Sequence, residues 1–148
     1  MKKRVSEGIK LTEREMRYIQ VFEAVTGATV LDCVENSELL VFVVRKGDLG
    51  KALARKGQRI KEIARLLKKR IKVIEFDDNP TVFVKNALHP AEIYEPIRVT
   101  EKADGKKIII VMVNPRDKGI AIGKDGRNID LTRYLVKRHF QIDHVIVQ

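Results

Sequence analysis

Ala121-Ile122-Gly123-Lys124-Asp125-Gly126-Arg127-Asn128-Ile129 is a glycine-bracketed, basic loop set between two helix-forming stretches. Glycine lacks a Cβ, so Gly123 and Gly126 allow positive φ and let backbone amides approach a phosphate or a sugar. The helix that follows adds a partial positive charge at its N-terminus. Two glycines three apart are common in ordinary turns, and alone they read as a helix-turn-helix punctuated by glycine. The weight comes from a second match. Ala52-Leu53-Ala54-Arg55-Lys56-Gly57-Gln58-Arg59-Ile60 aligns with the loop without a gap, Gly57 standing 69 positions before Gly126.

In the same register Leu40-Val41-Phe42-Val43-Val44 falls on Ile109-Ile110-Val111-Met112-Val113, Asp48 on Asp117, Gly50 on Gly119 and Leu66 on Leu135. Glu35-Asn36-Ser37-Glu38 falls on Asp104-Gly105-Lys106-Lys107, and Val73-Ile74 on Ile142-Asp143. Agreement of that length marks an internal duplication. Two copies of one small domain account for nearly all of the 148 residues. The expected organisation is a basic lead-in at 1–11, a first domain at 12–78 and a second at 79–148. A domain of roughly 70 residues buries only about 60% of its unfolded surface, so the copies are expected to pack on each other, with no Gly/Ser-rich linker between them.

Each copy reads as helix, two strands, two helices and a strand, an α+β pattern with a three-stranded sheet against helices. Thr12 suits an N-cap, with Glu13 and Glu15 in the first turn; Met16, Ile19, Val21, Phe22 and Val25 make an apolar side and Gly27 ends the helix. Strands follow at Ala28 to Val34 and Leu39 to Arg45, then a short helix at Leu49 to Ala54 and a longer one from Gln58 to Lys69. In the longer helix Ile60, Ile63, Ala64 and Leu67 share a face. A strand at Ile71 to Phe76 closes the copy. The second copy runs through a helix at Thr81 to Leu88, strands at Ile93 to Thr100 and Lys106 to Val113, and a helix starting at Asn114-Pro115. After the loop come a helix at Arg127 to His139, with Ile129, Leu135 and Val136 inward, and a strand at Ile142 to Val147.

Thirty Lys and Arg against twenty Asp and Glu leave a formal charge of +10, which favours a polyanionic partner. Dense mixed charge, at 34% of residues, also accompanies heat tolerance. No apolar run reaches the roughly 20 residues that span a bilayer and no signal peptide opens the chain, so a cytoplasmic protein without membrane attachment is expected. Cys33, the single cysteine, excludes an internal disulfide and suits a buried strand position. His89, His139 and His144 have no metal-ligand spacing. No catalytic residue, metal or cofactor is expected.

A three-stranded sheet against helices, with a GxxG loop joining two of them, resembles the K-homology fold in its type II order, which here would occur twice in tandem. That resemblance implies a loop that clamps the backbone of about four nucleotides beside an apolar groove for unpaired bases. The loop at Ala121 to Ile129, followed by Leu131, is similar to the second K-homology domain of the NusA family of transcription factors. Phe83-Val84-Lys85-Asn86-Ala87-Leu88-His89-Pro90-Ala91 resembles that family's junction between tandem domains. The short chain is similar to the archaeal form, which lacks the bacterial polymerase-binding N-terminal domain and the S1 domain. The resemblance implies a transcription elongation, termination or antitermination factor binding single-stranded RNA in the nascent transcript. RNA polymerase or other transcription factors are further expected partners, and a monomer the expected state.

The expected RNA-binding residues are Gly123, Lys124, Asp125, Gly126, Arg127, Ile122 and Ile129, with Arg55, Lys56, Gly57 and Arg59 at the first loop. Ile120 is a further groove candidate. Asp125 beside a phosphate is repulsive unless it points to solvent or caps the following helix. The first loop departs from the pattern, because Ala54 stands where the first glycine belongs. An alanine forced into left-handed geometry costs roughly 1–2 kcal/mol, or Ala54 extends the preceding helix; either way the first loop is the weaker grip. Gly47-Asp48-Leu49-Gly50 also spells GxxG, but aligns with Arg116 to Gly119 and reads as the start of a helix. Gly123→Asp is expected to remove RNA binding and keep the fold.

Two rival readings remain open on sequence. A nucleotide-binding enzyme would need GxxxxGK[ST] directly after a strand, whereas Lys124 lies between the glycines and Arg127 follows them. A K-homology factor in ribosome assembly or RNA processing would carry the same motifs.

Overall fold

The computed structural model describes residues 9–37 and 39–148. Lead-in residues 1–8 and the turn residue Glu38 lie outside that description. The chain divides into two compact units, Met1–Asp77 and Asp78–Gln148. The first contains α1 (Glu13–Thr26), β1 (Val30–Glu35), β2 (Leu39–Val44), α2 (Leu49–Leu53), α3 (Gln58–Leu67) and β3 (Arg70–Glu75). The second contains α4 (Pro80–Leu88), β4 (Ile93–Glu101), β5 (Lys107–Val113), α5 (Lys118–Ile122), α6 (Arg127–Phe140) and β6 (His144–Val147). Each unit is α+β, a three-stranded sheet packed against helices.

In both sheets the second strand is central, antiparallel to the first and parallel to the third. A parallel return needs a crossover, and the helix pair that carries the glycine loop provides it. The α1 start is a capping box: Thr12 Oγ1 accepts from the Glu15 amide at 3.1 Å, and Glu15 Oε1 accepts from the Thr12 amide at 2.9 Å. Gly27, at φ 75°, ends the helix.

Leu40, Phe42 and Val44 alternate onto one face of β2, where they meet Ile19 and Phe22 of α1, Cys33 of β1, Ala52 of α2 and Ile63 of α3. The Phe22 and Phe42 rings stack with centroids 4.2 Å apart. In the second unit the buried residues include Phe83, Val84, Ala87 and Leu88 of α4, Ile109, Val111 and Val113 of β5, and Ile129, Leu135 and Val136 of α6. Cys33 is fully buried core.

Two hydrogen-bond arrangements repeat between the units. The Arg45 amide donates to Thr29 O and the Asn114 amide to Glu92 O, both at 2.9 Å. Just beyond, Asp48 Oδ2 accepts from the Thr29 amide at 2.8 Å, and Asp117 Oδ2 from the Glu92 amide at 2.9 Å. The aspartate that opens each helix pair therefore ties it to the start of its sheet. The bond holds the Asp48 carboxyl below the usual range, against burial and with help from Arg45 and Lys51.

The ungapped 69-residue register holds only through this central part. Val73 pairs with Phe42, and Val111, the counterpart of Phe42, pairs with Val147. Val73 therefore corresponds to Val147, 74 positions later, and not to Ile142. The cause is helix length: α3 has 10 residues and ends at a left-handed Lys68, whereas α6 has 14 and ends at a left-handed Gln141. The connection to the last strand adds one more residue. The hairpins slip as well. Glu35 pairs with Leu40 and Val99 with Ile109, so Glu35 matches Val99 and not Asp104. The turn itself stays near the expected place, the Gly105 amide donating to Lys102 O at 2.9 Å, and the slip comes from strand length: β4 has 9 residues against 6 in β1.

Element ends also shift. The strand expected from Ala28 starts at Val30, and that expected from Ile142 starts at His144. Pro115 opens a 3-10 turn at Pro115–Asp117 before α5, with Asn114 Oδ1 accepting from the Arg116 amide at 3.0 Å. Proline suits that first turn because its missing amide proton would have no partner there.

Candidate nucleic-acid interface

The loop between α5 and α6 is a 3-10 turn, Lys124–Gly126, with a left-handed residue inside it, Asp125 at φ 54° and ψ 26°. Gly123 lies at φ 78° and ψ 169°, a region essentially restricted to glycine, and Gly126 is left-handed at φ 74°. Gly123 is also sterically required. A Cβ there would stand 2.7 Å from Asn128 Cβ and 2.8 Å from Asn128 N. Asn128 closes the turn from the other side, its Nδ2 donating to Ala121 O at 2.9 Å.

The Gly123 amide donates to Gly119 O, the Gly126 amide to Gly123 O and the Arg127 amide to Lys124 O. Lys124 and Asp125, the first residues of the 3-10 turn, have amides with no acceptor inside it, as at any helix start. The α6 N-cap is Gly126, with no side-chain cap, so the positive end of a 14-residue helix faces the same loop. The Lys124 side chain is exposed. Asp125 is 70% exposed and lies 3.8 Å from Arg127 Nη2. It therefore points to solvent and forms an ion pair instead of capping α6.

Of the two isoleucines paired with this loop, Ile122 is 40% exposed at the end of α5 and Ile129 is 5% exposed in the core. Ile120 is 50% exposed. Leu53, the repeat counterpart of Ile122, is 48% exposed, so each unit shows an apolar side chain to solvent just before its loop. Sequence reading missed Leu53, although the 69-residue register pointed to it. It also missed Asn128 and Arg133, whose Nε donates to Val145 O on the edge strand β6 at 3.0 Å. No local motif announces either contact.

The first loop takes another path. Ala54 is neither left-handed nor part of the helix: α2 ends at Leu53, and Ala54 is extended at φ −55° and ψ 154°. Its ψ nearly matches that of Gly123, but its φ has the opposite sign. Arg55 at φ 57° and Lys56 at φ 56° are both left-handed, before the left-handed Gly57 at φ 78°. Lys56 matches Asp125, which is left-handed in the second loop as well, so the positive φ that Ala54 avoids is taken up by Arg55 alone, in place of the non-left-handed Lys124. The Arg55 and Lys56 side chains are exposed. Arg59 is half-buried, its Nη1 donating to Thr26 O at 3.2 Å and Lys51 O at 3.5 Å. Its guanidinium ties the end of α1 to α2.

Among the described residues, no group of three or more His, Cys, Asp or Glu side chains could hold a metal, and no helix is long and apolar enough to cross a membrane.

Residues 80–147 match the profile of the NusA-like second KH domain. Two relatives called "Probable transcription termination protein NusA" align over 93% of this chain and 96% of their own length, one from Halobacterium salinarum at 37% identity and one from Halococcus morrhuae at 33%. The solved crystal structure of APE1850 superposes with a TM-score of 0.78 at 35% identity, covering 93% of this chain and all of that one. The chain belongs to the NusA family.

Proposed function

We propose that this chain is a single-stranded RNA-binding transcription factor acting in termination, antitermination or elongation, without catalytic activity or cofactor. The two units are read as tandem type II K-homology domains at 12–78 and 79–148, preceded by a basic lead-in at 1–11. The observation that carries the reading is the Gly123-Lys124-Asp125-Gly126 turn. Its glycine-only backbone, its leading amides and an uncapped helix start face one exposed lysine, on a chain of net charge +10. Such a turn holds a sugar-phosphate backbone, and contacts of that kind set position without reading sequence.

Gly123, Lys124, Gly126 and Arg127 make the clamp, with Asp125 paired to Arg127 and turned outward. Ile122 offers the apolar surface for bases, and Ile129 supports it from the core. Arg55, Lys56 and Gly57 form an auxiliary grip, with Arg59 positioning them. The relatives' description as transcription termination proteins directs the reading to nascent RNA, with RNA polymerase or other transcription factors as neighbours. A cytoplasmic monomer fits the role.

Lys124→Asp places two acids in the turn without touching a buried atom. It is expected to abolish binding of unstructured RNA oligonucleotides while the circular dichroism spectrum stays native. Unchanged affinity would overturn the loop assignment. Gly123→Asp is no longer the clean variant expected from sequence, because its Cβ would meet Asn128. In cells, RNA crosslinking is expected to recover nascent transcripts. Recovery of ribosomal RNA alone would replace transcription with ribosome assembly.

A further inference from the structure

Beyond the loop, α6 carries a stripe of side chains on the helix face that begins at Gly126. A Cβ on Gly126 would stand 3.9 Å from Asp130 Oδ2. Asp130 lies 3.2 Å from Arg133 Nη1, and Tyr134, Lys137 and Arg138 follow one and two turns on. These residues and Asp143 line a shallow depression of about 520 Å³. Tyr134 is 50% exposed. Arg138 Nη1 donates to its hydroxyl at 2.8 Å, and the guanidinium carbon lies 5.6 Å from the ring centroid.

We infer that Tyr134 and Arg138 form a stacking platform for an unpaired RNA base, continuing the track that starts at Gly123 to Gly126. The inference rests on the RNA-binding reading of that loop. Aromatic rings and guanidinium planes are the surfaces on which unpaired bases stack. The local charges favour a base over a phosphate. Asp130 pairs with Arg133 and Asp143 lies 3.0 Å from Lys137 Nζ, so each carboxylate repels backbone anions while its cation is already engaged. Arg138 bonds the ring itself.

The spacing suits a continuous strand. Seven residues separate Arg127 from Tyr134, about 10 Å along a helix at ~1.5 Å per residue, the rise of roughly three stacked nucleotides at ~3.4 Å each. The platform belongs to the second unit alone. Arg65 holds the position of Tyr134 in α3, and Arg138 lies in the extra turn by which α6 exceeds α3.

The test compares the affinities of an octanucleotide and a tetranucleotide, both unstructured mixed A and U RNA, for the full chain. Tyr134→Ala is expected to reduce the octanucleotide-to-tetranucleotide affinity ratio about 5- to 150-fold, and Tyr134→Phe to restore it. The chain has no tryptophan, so Tyr134→Trp supplies a single tryptophan, excited selectively over the remaining tyrosines, whose emission is expected to be quenched by the octanucleotide. An unchanged ratio and unquenched emission, with binding still lost in Lys124→Asp, would overturn the platform and keep the loop. Absence of binding by the unaltered chain would overturn both.

Discussion

Gly123 and Ala54 occupy equivalent places in the two units, and a single methyl group separates two turn geometries. At Gly123 the backbone enters the glycine-only region and Asn128 packs where a Cβ would be. Gly123→Ala is expected to destabilise the chain by about 2 kcal/mol, from left-handed strain of roughly 1–2 kcal/mol plus the clash, read as a lowered midpoint in chemical denaturation. The first loop predicts the opposite sign for its own residues. Arg55 sits at φ 57° with its side chain in solvent, so Arg55→Gly is expected to stabilise the chain by up to about 1 kcal/mol. The same variant is expected to weaken the auxiliary RNA grip, which sets stability and binding against each other at one position.

At the level of elements, an ion cluster of the first unit joins α1, β1 and the segment before β3. Glu35 receives Arg14 Nε at 3.1 Å, the Lys69 ammonium and the Tyr18 hydroxyl at 3.2 Å. Burial pushes the Glu35 carboxyl up, but Lys69, Arg14 and Tyr18 together hold it below the ordinary range. A carboxyl lowered by folding stabilises fully above its unfolded value and loses that contribution as pH falls through the folded one. Glu35→Gln is therefore expected to cost about 1–2 kcal/mol at neutral pH. The gap to the unaltered chain should close in acid, below the usual carboxylate range; thermal unfolding across pH 2 to 7 reads it. A gap that stays constant with pH would mean that Glu35 acts by packing alone.

Across the whole molecule, a net charge of +10 makes RNA affinity depend on salt. Each phosphate contact on a single strand is expected to contribute about 0.7 to the slope of log affinity against log salt. Lys124→Ala should lower that slope by roughly one contact, and Tyr134→Ala should weaken binding while leaving the slope unchanged, because stacking releases no counterion. Titrations from 50 to 300 mM salt separate the two.

Much of this architecture was readable from residue order. The alternating Leu40 to Val44 run and its copy at Ile109 to Val113 announce the central strands, Thr12 and Gly27 bracket α1, and the paired loops locate the helix crossovers. Those signals are local, since they depend on side-chain periodicity and on which residues tolerate a cap or a turn. What lay beyond reach depends on non-local geometry. The register slips to 74 in the last strands because hydrogen-bond pairing across the sheet, and not chain distance, determines which residues correspond. Arg59 reads as a surface cation beside the loop until the fold brings Thr26 O within reach.

The sequence by itself determined the α+β class, the duplication and the position of the glycine loop, because a missing Cβ and a hydrophobic period act through neighbours in the chain. Only the tertiary structure decided that Ala54 passes its positive φ to Arg55, that Asn128 makes Gly123 obligatory, and that Tyr134 and Arg138 share one surface. Each of those depends on backbone angles and distances that arise once the helices pack on their sheet.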